Sequence, residues 1–215
     1  MREKQKKLLI VGAGGHGKMA GEIAELSGKY QCIQFLDDHP SVKKKITYDV
    51  LGKIEEIEKY IKEYDFFVAI GNESIREKIQ NNIEKEDGNV ITLIHPNAVI
   101  GHDVAIEAGS IIMPGTVINV GSHIGRGVIV NTASSIDHDN KLADFVHIAV
   151  GAHLAGTVTI GTKTWIGAGA VISNNIEICS ECMIGAGAVV VKDIKEAGTY
   201  VGVPARKLVK GKMEL

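Results

Sequence analysis

The sequence predicts two folds in series, an α/β half domain over residues 1–95 and a parallel β-helix over 96–215. Three observations point there. Read from Ile100 in steps of six, Ile, Val or Leu stands at 16 consecutive positions, the last being Val190. A helix repeats at about 3.6 residues and a strand at about 2, so a period of six fits neither. It fits short strands joined by corners, each strand sending one aliphatic side chain inward, with three hexads to a triangular coil. Four residues after each anchor comes a mostly small or β-branched residue, such as Ser110, Thr116, Ser122, Ser134, Ala152, Ala170, Cys182 and Ala188. Before Ile100 the rhythm changes, and apolar runs alternate with helical patterns as in a parallel sheet covered by helices.

Lys7 to Val11 reads as a buried strand, followed by Gly12-Ala13-Gly14-Gly15-His16-Gly17 and a helix to about Leu26. Tyr30 to Leu36 is the second strand, closed by Asp37-Asp38. A helix around Ile54 to Lys62, a strand from Phe66 to Ile70 and a helix from Glu73 to about Ile83 follow. Val90 to Ile94 makes a last strand, which His95-Pro96 stops. In the repeats, glycine directly follows the anchor at Gly125, Gly161, Gly167 and Gly185, where the tight positive-φ bend is expected. Sixteen hexads give about five coils, a prism roughly 25 Å tall at the strand spacing. Gly202-Val203-Pro204-Ala205 breaks the pattern, and Lys207 onward reads as a basic tail.

With 215 residues there is room for a substantial core, and the low aromatic content of 5% suits ladders of stacked aliphatics. A formal net charge of −2 offers no footprint for nucleic acid. The apolar run Leu8 to Val11 is too short for a signal-peptide core, and no stretch approaches a membrane span, so a cytoplasmic location is expected. Cys179-x-x-Cys182 looks like half of a redox or zinc motif, but Cys182 falls on an inward small position, which favours reduced structural thiols. No metal cluster is visible, and none is expected.

Gly12, Gly14 and Gly17 satisfy G-x-G-x-x-G between a strand and a helix, with an acid pair about 20 residues on. That is the spacing of a dinucleotide fingerprint, in which backbone approaches phosphates and a carboxylate takes ribose hydroxyls. A turn that serves only strand–helix packing is the alternative. The unit holds about one mononucleotide-binding half, so a nucleotide diphosphate with one sugar suits it better than NAD. Gly71-Asn72 ends a strand, where ligands of open α/β sheets sit.

The hexads resemble those of the hexapeptide-repeat acyltransferases, whose solenoid is a left-handed parallel β-helix; the handedness comes from that resemblance alone. A Rossmann-like half domain with a G-x-x-G-H-G loop, joined through His-Pro to an uninterrupted hexapeptide helix, is similar to the bacterial sugar O- and N-acetyltransferases. That family includes UDP-4-amino-sugar N-acetyltransferases of bacillosamine pathways and sialic acid O-acetyltransferases. The resemblance implies that Gly14, Gly15, His16, Asp37, Asp38 and Gly71 line a nucleotide-sugar pocket. It also implies a homotrimer with active sites between subunits and acetyl-CoA as co-substrate.

Among the histidines, His138 stands out because Asp137 and Asp139 flank it. A carboxylate beside imidazole favours the protonated form and strengthens the base, although a solvated corner would carry the same residues. The resemblance makes His138 the general base, Asp139 its activating partner and Asn131, in the preceding Asn131-Thr132-Ala133-Ser134, a contact to the acceptor. Replacing Asp139 is then expected to be milder than replacing His138 and to move the pH profile upward. Gly156 lies one 18-residue coil beyond His138, so its N–H is placed to meet an oxyanion. His147 follows His138 by half a coil, on another face, and by resemblance contacts acetyl-CoA from a second chain. Ala168 and Ala186 would leave room for the pantetheine, or serve as plain wall residues. His153 is given no role.

The expected reaction is direct transfer of acetyl to the amine of a nucleotide-linked amino sugar. O-acetylation of sialic acid or another sugar hydroxyl would use the same base. A solenoid that only binds would have no use for His138-Asp139.

Overall fold

The computed structural model describes residues 6–39 and 47–208, and the chain divides into two compact units between Pro96 and Asn97. In the first, a parallel sheet in the order β3-β2-β1-β4-β5 comprises β1 (Lys7–Val11), β2 (Cys32–Leu36), β3 (Val50–Gly52), β4 (Asp65–Val68) and β5 (Asn89–Val90). The central strand is buried from Leu8 to Val11, as a strand covered on both faces must be. Helix α1 (Gly15–Leu26) buries only small residues and Ile23, so it can pack closely. Helix α2 (Glu73–Lys85) is capped by Asn72, whose side chain accepts the Ile75 N–H at 2.9 Å.

Four local expectations change. The helix around 54–62 is a 3-10 helix, Ile54–Tyr60, because its apolar residues Ile54, Ile57 and Tyr60 recur every third position. Strand β3 carries too few residues to show a pattern. Strand β4 ends at Val68 instead of Ile70, and the carbonyls of Ile70 and Gly71 turn to a buried arginine described below. Val90 to Ile94 is two strands: Asn89–Val90 pairs with β4, whereas β6 (Leu93–Ile94) is a rung of the solenoid's eight-stranded sheet. Ile94 precedes Ile100 by six, so the hexad frame starts one rung earlier than expected.

The second unit stacks rungs into three parallel sheets, with each residue paired to the one 18 positions on, as Ile118 with Ile136 and Ile136 with Leu154. After Leu93–Ile94 the rungs continue from Val99–Ile100 to Val189–Val190, and the anchors from Ile112 onward are buried. Each buried aliphatic side chain contributes about 1.5–3 kcal/mol relative to exposure. The slot four residues after the anchor is also buried, and its hydroxyls reach backbone. Ser110 donates to the Gly125 carbonyl (2.7 Å), Ser122 to Asp137 (2.9 Å) and Thr164 to Cys179 (2.9 Å).

The corners do not bend where the glycines first suggested. Positive φ falls three residues after the anchor, at every sixth residue from Asp103 to Gly187, and Asp139 carries it with φ 57°. Gly125, Gly161, Gly167 and Gly185 have no positive φ; a Cβ on Gly125 would lie 2.8 Å from the Ala143 carbonyl carbon of the next coil. Those glycines permit close approach between coils.

At the C-terminal end, β23 (Gly198–Val201) extends the third sheet, and β24 (Arg206–Lys207) pairs antiparallel to it. The break at Gly202 to Ala205 is the turn of this hairpin, which covers the end of the solenoid. The rest of the expected basic tail, 209–215, lies outside the described residues. The sulfurs of Cys179 and Cys182 are 3.5 Å apart, and burial pushes the Cys182 thiol up to about 12, as suits a structural pair of thiols.

Candidate active site

In the α/β unit the glycines divide their tasks. Gly12 takes φ 99°, and a Cβ there would lie 2.9 Å from the Ala69 carbonyl oxygen, while one on Gly17 would collide with the Gly12 carbonyl. Gly14 and Gly15 face open space, and no side chain among the described residues caps the first turn of α1. Asp37 holds the loop, accepting the Ala13 N–H at 2.8 Å and the His39 N–H at 2.7 Å. Asp38 accepts the Ile54 N–H at 3.0 Å. Both carboxylates are engaged with backbone, which sequence spacing does not reveal, and each keeps lone pairs for a ligand hydroxyl.

His16 lies in the first turn of α1, its ring 6.4 Å from that of Phe67. Burial, helped by the Arg76 charge, pulls its pKa down to about 4, so the ring is neutral at pH 7. Its Nε2 is enclosed without a hydrogen-bond partner among the described residues. Arg76, absent from the sequence expectations, is buried on the face of α2 that carries Ile79 and Ile83, and its guanidinium donates to the Ile70 and Gly71 carbonyls at 2.8 Å each. Thus Gly14, Gly15, His16, Asp37 and Gly71 surround the carboxyl ends of β1, β2 and β4, where such sheets bind ligands. Asp38 instead lines a groove of about 790 Å³ with Lys53, Ile54, Ile57, Ile75 and Ile79.

In the solenoid, His138 occupies the corner after β13 (Ser135–Ile136). Its Nδ1 meets Asp139 Oδ2 at 2.8 Å, and its backbone N–H donates to Asp137 Oδ1 at 2.8 Å. Asn119 donates to the same Asp137 oxygen at 2.9 Å and, with the His138 N–H, holds that carboxyl below its usual range. The hydrogen bond to Asp139 raises the His138 pKa against an opposing desolvation, with the Asp137 and Asp139 charges adding to the rise. With Nδ1 engaged, Nε2 is the free base, and it faces Gly156. A Cβ on Gly156 would lie 2.6 Å from His138 Cε1. Gly156 is buried, and among the described residues its N–H donates to no backbone or side-chain acceptor. A base and an unused amide thus sit together, one coil apart in sequence.

Here the sign of one expectation reverses. Because Asp139 raises the pKa of His138, Asp139→Asn lowers it, and the neutral imidazole persists to lower pH. The acidic limb of kcat/KM for Asp139→Asn should move down in pH, opposite to the expected upward shift. A pH–rate profile from 5 to 9 measures it, and an unmoved or raised limb would contradict the assignment.

His147 lies on β15 (His147–Ile148), in a different sheet from β13, so within one chain it is not beside His138. It is buried, 4.0 Å centroid to centroid from Trp165, its register partner, with Asn131 Nδ2 3.5 Å from its Nε2. Asn131 therefore neighbours His147 and not His138. Ala168 and Ala186 are exposed on adjacent coils, linked by the Gly187 N–H to the Ala168 carbonyl at 2.8 Å. Gly169 and Gly187 beside them face open space, so the edge next to His147 is smooth. His153 pairs its Nδ1 with Ser135 Oγ at 2.8 Å on the outer wall.

Two family models match the chain: the PglD N-terminal domain over residues 7–83 and the bacterial transferase hexapeptide (six repeats) over residues 157–192. The GDP-perosamine N-acetyltransferase of Escherichia coli O157:H7 is 35% identical over 165 residues, which is 74% of each chain. The protein belongs to the hexapeptide-repeat sugar N-acetyltransferases. It is an enzyme, an acetyltransferase, and its solenoid is the left-handed parallel β-helix of that family. The acetyltransferase domain of PglB from Neisseria gonorrhoeae FA1090, solved in complex with acetyl coenzyme A, superposes with a TM-score of 0.90 at 40% identity, covering 95% of this chain and 100% of that one. PerB from Caulobacter crescentus, solved with CoA and GDP-perosamine, gives 0.89 at 30% identity over 94% and 97%. The UDP-N-acetylbacillosamine N-acetyltransferase of Bacillus subtilis (strain 168) is 33% identical over 111 residues, about half of each chain.

Proposed function

We propose that this acetyltransferase moves acetyl from acetyl-CoA to the amino group of a nucleotide-linked amino sugar, in the first instance a UDP-4-amino sugar. The observation that carries this is the His138 ring, fixed by Asp139 through Nδ1 and set with Nε2 against the Gly156 amide. The amine attacks the thioester carbon, and His138 Nε2 takes its proton as the C–N bond forms. The carbonyl oxygen becomes an oxyanion that the Gly156 N–H receives. The C–S bond breaks, and the proton passes from His138 to the departing thiolate. Asp139 orients the ring and stabilises the imidazolium.

The sugar nucleotide would sit on the α/β unit, its diphosphate at the open start of α1 and its hydroxyls near Asp37 and Asp38. The uncharged His16 and the cation of Arg76 would frame it beside Gly71. Acetyl-CoA would run along the smooth edge by Ala168 and Ala186 to His147. Because His138 and His147 lie on separate sheets, one site needs both only if chains pack as a homotrimer, with Asn131 and His147 offered by one subunit and His138 by the next.

Acceptance by an amine is favoured over O-acetylation because the curated relatives are named as N-acetyltransferases. Their names carry GDP and UDP sugars, so both nucleotides belong in the test. CoA release should be measured with UDP-, GDP- and dTDP-4-amino sugars and with sialic acid. UDP or the UDP-sugar should also raise the melting temperature where NAD does not, and Asp37→Ala with Asp38→Ala should abolish that shift while acetyl-CoA still binds. Turnover of sialic acid alone, or a thermal shift with NAD alone, would overturn the assignment.

A further inference from the structure

Asn140 fills the slot four residues after the anchor Ile136 and is fully buried. Elsewhere Ser122, Ala152, Thr164 and Ala170 fill the equivalent slot. There the hydroxyls of Ser110, Ser122 and Thr164 each reach the carbonyl 15 residues on. Asn140 makes the same bond, from Nδ2 to the Ala155 carbonyl at 3.0 Å, and adds two of its own. These go to the carbonyls of Asp137 at 2.7 Å and His138 at 3.3 Å, the amide's two N–H protons being shared among three carbonyls. Its Oδ1 accepts the Val158 N–H at 3.2 Å, which fixes which end of the amide is which. One side chain therefore ties the corner that carries His138 to the corner that carries Gly156.

The Ala155 carbonyl and the Gly156 N–H are the two ends of one planar peptide group. Holding the oxygen fixes the direction of the N–H. A hydrogen bond to the C=O also polarises the group, which makes its N–H a stronger donor. We infer that Asn140 is a positioning residue that aligns and polarises the Ala155–Gly156 peptide as the oxyanion donor and holds it in register with His138. This rests on the acyl-transfer function proposed above. Asn140 itself meets no substrate, since it lies inside the prism wall.

Asn140→Ala and Asn140→Ser test it, because the solenoid already accepts Ala and Ser in this slot. In Asn140→Ala, kcat should fall about tenfold or more, the usual scale of one lost buried hydrogen bond, with KM for both substrates little changed. Asn140→Ser should recover part of the loss, since a hydroxyl there can reproduce the bond to Ala155. The Gly156 amide proton and nitrogen resonances, recorded without substrate, should move upfield in Asn140→Ala and return partway in Asn140→Ser. A kcat equal to wild type, a loss confined to KM, or an unmoved Gly156 resonance in Asn140→Ala would overturn the role. If the wild-type chain acetylates none of the acceptors, the proposed function fails, and the Gly156 resonance still decides Asn140.

Discussion

His138→Ala should lower kcat for acetyl transfer by about 10²–10⁴-fold, the range of a positioned general base. The ring is about half exposed and its hydrogen bond is to Asp139 in its own corner, so the melting temperature should stay close to that of the unmodified chain, as for an ordinary surface substitution. Steady-state CoA release against a thermal scan separates the two effects, and normal turnover would remove His138 from the mechanism. The same variant tests the assembly. Mixed with His147→Ala chains and allowed to exchange, it should regain activity, because some interfaces then pair an intact His138 with an intact His147 from the neighbour. If both residues served one site from one chain, no mixture would recover. A fully active monomer by light scattering would also dismiss the shared site.

Gly156→Ala should cost about a hundredfold in kcat. Its φ is not positive, so alanine suits the backbone, but the new Cβ would stand 2.6 Å from His138 Cε1. The ring must withdraw by roughly 1 Å to reach ordinary contact, a displacement that in well-ordered sites costs on the order of 10²-fold. The double variant with His138→Ala should be scarcely slower than His138→Ala, since there is then no ring to displace. Additive losses would mean that Gly156 acts apart from His138.

The period of six was readable because one inward side chain per hexad leaves an unbroken aliphatic column. The 18-residue coil then placed Gly156 against His138 by counting alone. The same count from His147 reaches Trp165, the one tryptophan in the chain, and the two rings meet in the fold. Asn140 also leaves a mark, as the one amide in a column of Ser, Thr, Ala, Val, Ile and Cys. The position of the corner bend is not legible from glycine alone, because glycine serves two purposes here, close approach directly after the anchor and positive φ two residues later. Asp139, Phe145 and Lys163 supply that φ as well. Arg76 and the backbone bonds of Asp37 and Asp38 were beyond reach, since they depend on which groups the folded sheet brings together and not on any periodicity.

Pairing at intervals of 18 makes this candidate site digital. The distance from His138 to Gly156 cannot drift by small length changes, since one extra hexad would turn Gly156 to another face and a whole extra coil would lift it about 4.8 Å away. Loops can grow outward from the corners, and complete coils can be added or lost above or below the pair. Within the interval the number of hexads is all or nothing, so the side chains around the pair can vary while the spacing does not.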